Sequence, residues 1–420
     1  MKAEILATGD ELRSGALIDT NSAWIARELE NLGCMITRHT CIGDDLDGLT
    51  QVFLEISARA AIVIVTGGLG PTLDDLSRDA AARACGLELV NDPESLEKIK
   101  SFFHARGREM PPNNLRQALF PAGAVILPNP IGTAPGFRLE INGGLFFFLP
   151  GVPAEMKMMF SEQVAPAIVR LTHACAACQT TTLTTFGLGE SAVEERLAGF
   201  NLEFPDIRLG YRAAFPEVQI KLYPQTVKQT LPARETERAL AWLRLKLGPK
   251  LVCERGRSLA EVVGDLLRKQ KATLAVAESC TGGLLASLLT DIPGSSDYFL
   301  FGAVTYSNQA KEKILGVKPE ILAGWGAVHE KTAAAMAEGV RSLSEATYAL
   351  ATTGIAGPNG GSPDKPVGSV CIALAGPRNT QSKRYIFPFN DRLMNKKIFA
   401  AQALNRLRLE LNGPQPTTRA

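Results

Sequence analysis

Apolar runs too short for helices alternate with amphipathic stretches through residues 1–166. Ile5-Leu6-Ala7-Thr8 and residues 34–41 have strand character, and Ala61-Ile62-Val63-Ile64-Val65 is the clearest buried strand in the chain. Between them, residues 20–32 and 46–59 have helical periodicity, the first with Asn21 or Ser22 near its cap. This alternation predicts an α/β domain on a doubly wound parallel sheet. Residues 167–255 read differently: a strand over 180–186, a helix through Leu197, a strand pair over 206–213 and 218–223, a helix over 233–247 and a short strand at 251–253. That βαββαβ order predicts a small α+β domain, with residues 224–232 as an exposed connection and the whole acting as a spacer or dimer surface. Alternation returns over 256–413, where helices at 258–269, 284–290, 331–343 and 396–411 intersperse strands at 273–277, 301–308, 348–353, 367–375 and 383–389. A second α/β domain is expected there, and the Pro/Thr-rich residues 414–420 are expected to be disordered.

The densest chemistry lies between a strand and a helix, in Ala277-Glu278-Ser279-Cys280-Thr281-Gly282-Gly283. A hydroxyl on such a turn sits where a parallel sheet opens to ligands, and the amides of Thr281, Gly282 and Gly283 would be free to bind an oxyanion or phosphate. Ser279 is then either a nucleophile or simply a helix cap. Lys311 opens the helix after the strand at 301–308. If these two strands are parallel neighbours, Ser279 and Lys311 share an edge, and a desolvated neutral lysine can supply the base that serine needs. Cys280 is expected to be a buried packing residue. The N-terminal domain has its own small-residue loop, Thr66-Gly67-Gly68-Leu69-Gly70-Pro71-Thr72, followed by Asp74 and Asp75. Its glycines let amides approach an anion, and Asp44, Asp74 and Asp75 could hold a divalent ion against a pyrophosphate. The same residues could equally reverse the chain and charge a helix N-terminus.

Composition narrows the partners. The 420 residues are 45% hydrophobic and 21% charged, with a net charge of +2 and no long basic run, which argues against a nucleic-acid groove. No apolar stretch approaches the ~20 residues of a membrane span, and the start of the chain lacks the pattern of a cleavable signal. Eight scattered cysteines form no disulfide framework, so a reducing cytoplasm is expected. Cys175 and Cys178 have CxxC spacing without a second pair, and coincidence explains them.

Glu278-Ser279-Cys280-Thr281-Gly282-Gly283, Tyr306-Ser307-Asn308 with Lys311, and Gly354-Ile355-Ala356-Gly357-Pro358 together resemble the CinA/PncC family of nicotinamide mononucleotide deamidases. Gly9-Asp10-Glu11-Leu12, Gly43-Asp44-Asp45 and the loop at 66–72 resemble the MoaB/MogA molybdopterin-binding fold. Gly107-Arg108-Glu109-Met110-Pro111, Asn114, Asn129-Pro130, Gly132-Thr133-Ala134-Pro135-Gly136 and Leu149-Pro150-Gly151 extend that likeness to the N-terminal domain of CinA proteins. Leu69 stands where the MoaB/MogA pattern has threonine, which weakens a molybdopterin assignment.

The resemblance implies two activities on small-molecule nucleotides. One is an amidase that needs no cofactor, and the other is a metal-dependent ADP-ribose pyrophosphatase in the N-terminal domain. In the amidase Ser279 is the nucleophile and Lys311 the base, Tyr306 positions them or stacks on the pyridine ring, and Asn308 binds the carboxamide or caps a helix. Substrate phosphate has three candidate holds: the amides around Gly354 and Gly357, Ser295 with Ser296, and Arg392. In the N-terminal site Gly67, Gly68, Gly70 and Thr72 would bind nucleotide. Two positions depart from the family pattern: Asn390 replaces glycine before Asp391-Arg392, and His329 replaces a serine at a helix start. A Ser–His pair between Ser279 and His329 is the competing arrangement. The competing function is a competence-linked regulatory protein that binds nucleotides without turnover. The family also implies a homodimer.

Overall fold

The computed structural model describes residues 1–172, 181–224 and 233–413. They form two compact units, divided between residues 180 and 181. The expected tail at 414–420, residues 225–232 of the expected connection at 224–232 and the CxxC pair lie outside the described residues, while Pro224 ends a strand.

The first unit is built on β1 (Lys2–Thr8), β2 (Met35–Ile42), β3 (Ile62–Thr66), β6 (Val125–Leu127), β7 (Gly136–Ile141) and β8 (Gly144–Leu149), beside a small pair, β4 (Leu89–Asn91) and β5 (Leu119–Pro121). The order of the large sheet is β2-β1-β3-β8-β7-β6. The first four strands are parallel, β7 runs against them, and β6, antiparallel to β7, returns to their direction. The doubly wound core is therefore present, but the sheet is mixed. Asn142 and Gly143, at φ 47° and 85°, form a two-residue turn that folds β7 directly back onto β8. Every residue of β3 is buried. Leu49, Phe53 and Ile56 cover one face of the sheet, and Ile25, Leu29, Met156 and Phe160 cover the other. The Ala165–Thr172 helix buries Ala167 and Ile168 in this unit, so its core extends past residue 166.

The second unit holds two sheets. One is antiparallel, in the order β10-β11-β9-β12, from β9 (Thr181–Phe186), β10 (Ile207–Ala214), β11 (Glu217–Pro224) and β12 (Leu251–Cys253). The other is ordered β14-β13-β15-β16-β17, from β13 (Leu274–Glu278), β14 (Phe299–Val304), β15 (Tyr348–Gly354), β16 (Ser369–Ala375) and β17 (Thr380–Ile386). Here β14, β13 and β15 are parallel, β16 runs against them, and β17 is antiparallel to β16. The smaller sheet is no detached spacer. Phe186 and Val252 share a buried cluster with Leu259, Val263, Leu404 and Leu407, and the Arg408 guanidinium donates to the carbonyls of Pro249 and Leu251. Three boundaries differ from expectation with consequences for the site. β14 ends at Val304 rather than at 308, because Ser307 caps the next helix and Asn308 begins it. β17 ends at Ile386, and the last helix begins at Arg392, four residues before Lys396, because Asp391 caps it by accepting the Met394 N–H at 2.7 Å.

Candidate functional site

Parallel pairing of β13 with β14 sets Ala277 beside Ala303 and Glu278 beside Val304, so both strands open at one edge. Ser279 follows β13 directly, and Lys311 lies on the Asn308–Leu315 helix that follows β14. Lys311 Nζ donates to Ser279 Oγ at 3.3 Å, to the Thr305 carbonyl at 2.9 Å and to the Tyr306 carbonyl at 3.1 Å. Lys311 is fully buried and Ser279 is 9% exposed. All three partners of the amine are neutral oxygens, and burial lowers its pKa from the ordinary 10.5. The pair has the geometry of a nucleophile with its base. Cys280 is buried and its thiol is pushed up to about 12 by that burial, which leaves it inert.

The turn after Ser279 departs from expectation. Gly282 N–H donates to the Ser279 carbonyl and Gly283 N–H to Glu278 Oε2, so neither is free for an oxyanion. Glu278, fully buried at the end of β13, also accepts from Leu285 and Ala286. Its carboxylate thus satisfies the start of the Leu284–Thr290 helix. Among the described residues the amides of Cys280 and Thr281 have no acceptor, and these two are the available donors. The Thr281 hydroxyl pairs with that of Thr352 at 2.7 Å, and Ser279 N–H donates to the Thr352 carbonyl, tying the turn to β15.

Tyr306 is 60% exposed, and its side chain makes no hydrogen bond to Ser279 or Lys311. Its hydroxyl accepts from Arg392 Nη2 at 3.0 Å, and Arg392 Nη1 donates to the Gly357 carbonyl at 2.9 Å. Tyr306, Gly357 and Arg392 are thereby brought together. Asn308 is exposed, and the cap of its helix is Ser307, which accepts the Ala310 N–H. Gly354 ends β15 so close to β16 that a Cβ would fall 2.4 Å from the Ser369 carbonyl, which accounts for its glycine. Buried Asn395 holds the next residues by donating to the Ala356 and Phe389 carbonyls. Ser295 and Ser296 are not brought to this place within the chain. They precede β14, whose first residue pairs with the first residue of β13, and so lie at the opposite edge of the sheet. His329 caps its helix, accepting the Lys331 N–H on Nδ1 and packing on Trp325 with ring centres 4.5 Å apart. Ser279 is hydrogen-bonded to Lys311 rather than to it. Sequence reasoning also passed over Lys396, whose Nζ lies 3.5 Å from where a Gly282 Cβ would be. Its spacing of four from Arg392 is visible only once the helix is known to start at Arg392.

In the first unit the ends of β1, β3 and β8 open into a cavity of about 890 Å³, lined by Gly9, Glu11, Asp44, Gly67, Gly68, Gly70, Asp74, Asp75 and Gly151 among others. Its size suits a nucleotide-scale ligand. The glycine loop is clamped from inside. Asp75 accepts the N–H groups of Gly70 and Thr72 and the Thr72 hydroxyl, and buried Arg78 donates to the Leu69 and Gly70 carbonyls. A Cβ at Gly67, where φ is 106°, would meet the Thr8 carbonyl at 2.5 Å. Asp75 and the Gly70 and Thr72 amides are therefore engaged in shaping the loop, and Gly67 N–H is paired with the Leu149 carbonyl. Asp44 accepts the Asp10 N–H, and its pKa is raised by burial and by the neighbouring charges of Asp10, Glu11 and Asp74. Among the described residues no three His, Cys, Asp or Glu side chains converge as a metal cage.

Comparison with known proteins matches residues 256–411 to the CinA C-terminal domain and residues 4–170 to the probable molybdopterin binding domain. A CinA-like protein of Desulforapulum autotrophicum is 47% identical over 413 residues, 97% of this chain and 98% of that protein. The nicotinamide-nucleotide amidohydrolase PncC of Shewanella oneidensis is 42% identical over 414 residues, 98% of this chain and 96% of that protein. Among solved structures, the competence/damage inducible protein CihA of Agrobacterium tumefaciens is 40% identical, with 37% of this chain and 93% of that chain covered and a TM-score of 0.36. Near-complete alignment with the Desulforapulum and Shewanella proteins, together with the match of residues 256–411 to the CinA C-terminal domain, makes this chain a member of the CinA family.

Proposed function

We propose that the second unit hydrolyses nicotinamide mononucleotide to nicotinate mononucleotide and ammonia. The observation that carries this is the buried Lys311 amine, 3.3 Å from Ser279 Oγ and without a carboxylate partner among the described residues. Similarity to the Shewanella amidohydrolase supports the substrate class. Neutral Lys311 takes the Ser279 proton as Oγ attacks the carboxamide carbon, and the carbonyl electron pair moves onto oxygen. The Cys280 and Thr281 amides stabilise that oxyanion, by ~3–4 kcal/mol for a well-placed donor. The lysine ammonium then protonates the departing nitrogen, so ammonia leaves and a serine ester remains. Water, deprotonated by the same amine, cleaves the ester and restores Ser279. Arg392, held by Tyr306 and Gly357, faces the phosphate.

A second activity is inferred for the first unit: cleavage of a nucleoside diphosphate sugar such as ADP-ribose in the glycine-lined cavity. Crowded carboxylates around Asp44 favour a divalent cation there. With no protein cage, the ion would take its remaining oxygen ligands from water and substrate phosphates. A cytoplasmic homodimer is part of the same proposal. No helix among the described residues is long and apolar enough to cross a membrane.

Ammonia release from nicotinamide mononucleotide by the full chain and by Ser279→Ala tests the amidase. The variant is expected to fold normally and lose at least ~10³-fold in kcat. Turnover retained in it would reject the nucleophile. Substrate binding by the full chain without ammonia release would favour a nucleotide-binding regulator.

A further inference from the structure

We propose that Lys396 is a second cation for the substrate's phosphate, forming with Arg392 a two-point clamp above the nucleophile turn. This deepens the amidase proposal and rests on it. Three observations converge on the side chain. Its Nζ and Cε lie 3.5 Å and 3.9 Å from where a Cβ on Gly282 would stand, so the ammonium hangs over the turn that carries Ser279. Any larger residue at Gly282 would crowd that contact, and φ of 59° there already favours glycine.

The ammonium of Lys396 stands unpaired among the described residues, with no hydrogen-bond or ion-pair partner. The nearby carboxylates are committed elsewhere: Glu278 to the Gly283, Leu285 and Ala286 amides, and Asp391 to the Met394 amide. A half-buried, unpaired lysine beside a reactive turn is an uncompensated charge that an anionic ligand relieves.

Placement decides which anion. Lys396 follows Arg392 by one helical turn in the Arg392–Leu411 helix, so both side chains rise from one face near its positive end. Arg392 is braced on Tyr306 and Gly357, with the rest of its guanidinium fork available. Buried Asn395 anchors the intervening turn to the Ala356 and Phe389 carbonyls. A pair of cations on one helix face, one of them over the turn that carries the serine, suits a phosphomonoester, with Arg392 as the fork and Lys396 as the point charge. Lys396 is thus a binding residue and takes no part in proton transfer.

The test compares Lys396→Ala and Lys396→Arg with the full-length protein on nicotinamide mononucleotide and on nicotinamide riboside, which lacks the phosphate. Lys396→Ala should raise KM for the mononucleotide about tenfold to a hundredfold with kcat within about twofold. It should leave kcat/KM for the riboside unchanged, and Lys396→Arg should restore most of the mononucleotide affinity. Calorimetric Kd values for the two ligands in a Ser279→Ala background give the same comparison without turnover. An equal loss on both substrates would overturn the proposal, since the lysine would then serve the catalytic turn or the fold. No change on either substrate would overturn it too. Absence of ammonia release by the unsubstituted chain would instead count against the amidase, leaving the Kd comparison to decide Lys396.

Discussion

Replacing Lys311 by methionine removes the amine while keeping most of the buried volume. Two quantities should respond in different ways. The first is rate. In the proposed mechanism Lys311 acts through its neutral form, and every unit of pKa lost below 10.5 raises the neutral fraction at neutral pH about tenfold. General acid–base catalysis by a placed group is worth about 10²–10⁴, so Lys311→Met should cost about 10²–10⁴-fold in kcat. Lys311→Arg should fare no better, because a guanidinium keeps its proton throughout the working range. In the unsubstituted enzyme, kcat/KM should rise with pH and level off below 10.5. The second quantity is stability. The amine donates to Ser279, Thr305 and Tyr306, and losing those bonds is offset by no longer burying an ionisable group. The net change at neutral pH should stay within ~2 kcal/mol. The sign of its pH dependence follows from the lowered pKa. Between the folded value and 10.5 the unfolded chain binds more protons, so the native enzyme gains stability over Lys311→Met as pH rises through that window. Ammonia-release profiles and thermal unfolding at neutral and alkaline pH measure both. Activity in Lys311→Arg, or a rate that rises only above the ordinary lysine range, would refute the neutral-amine mechanism.

Other substitutions probe the supports. Glu278→Gln leaves one acceptor oxygen for three backbone donors, so it should cost roughly 2–4 kcal/mol and lower kcat by disturbing the turn, as read by thermal unfolding and ammonia release. In the first unit, Asp44→Asn should lower metal-stimulated ADP-ribose cleavage at least tenfold with little change in melting temperature, while Ser279→Ala leaves that cleavage intact. Asp75→Asn should instead lower the melting temperature, because that carboxylate holds Gly70 and Thr72; loss of cleavage without loss of stability would return Asp75 to the metal site.

Much of the architecture was legible from pattern. The strand–turn–helix around Ser279, the buried run at β3 and the strand and helix order of residues 181–253 all follow from local periodicity. Local signals failed where satisfaction of backbone donors was at stake. Gly282 and Gly283 look free in a linear sequence, yet a buried carboxylate one residue before Ser279 and the Ser279 carbonyl itself consume their amides. The aspartates after the glycine loop look like metal ligands, yet Asp75 folds back to clamp the loop that precedes it.

The sequence alone determined that a hydroxyl would sit at the mouth of a sheet and that a lysine would begin the following strand's helix, because strand ends and helix starts are set by neighbours along the chain. Which strands lie side by side is decided by sheet topology, and only that brings Ser279 and Lys311, 32 residues apart, into hydrogen-bond contact. The same topology sends Ser295 and Ser296 to the far edge and lays Lys396, from the other end of the domain, over the reactive turn. Burial does the rest: an exposed lysine keeps its ordinary pKa, and the closed packing around Lys311 lowers this one, as the proposed base requires.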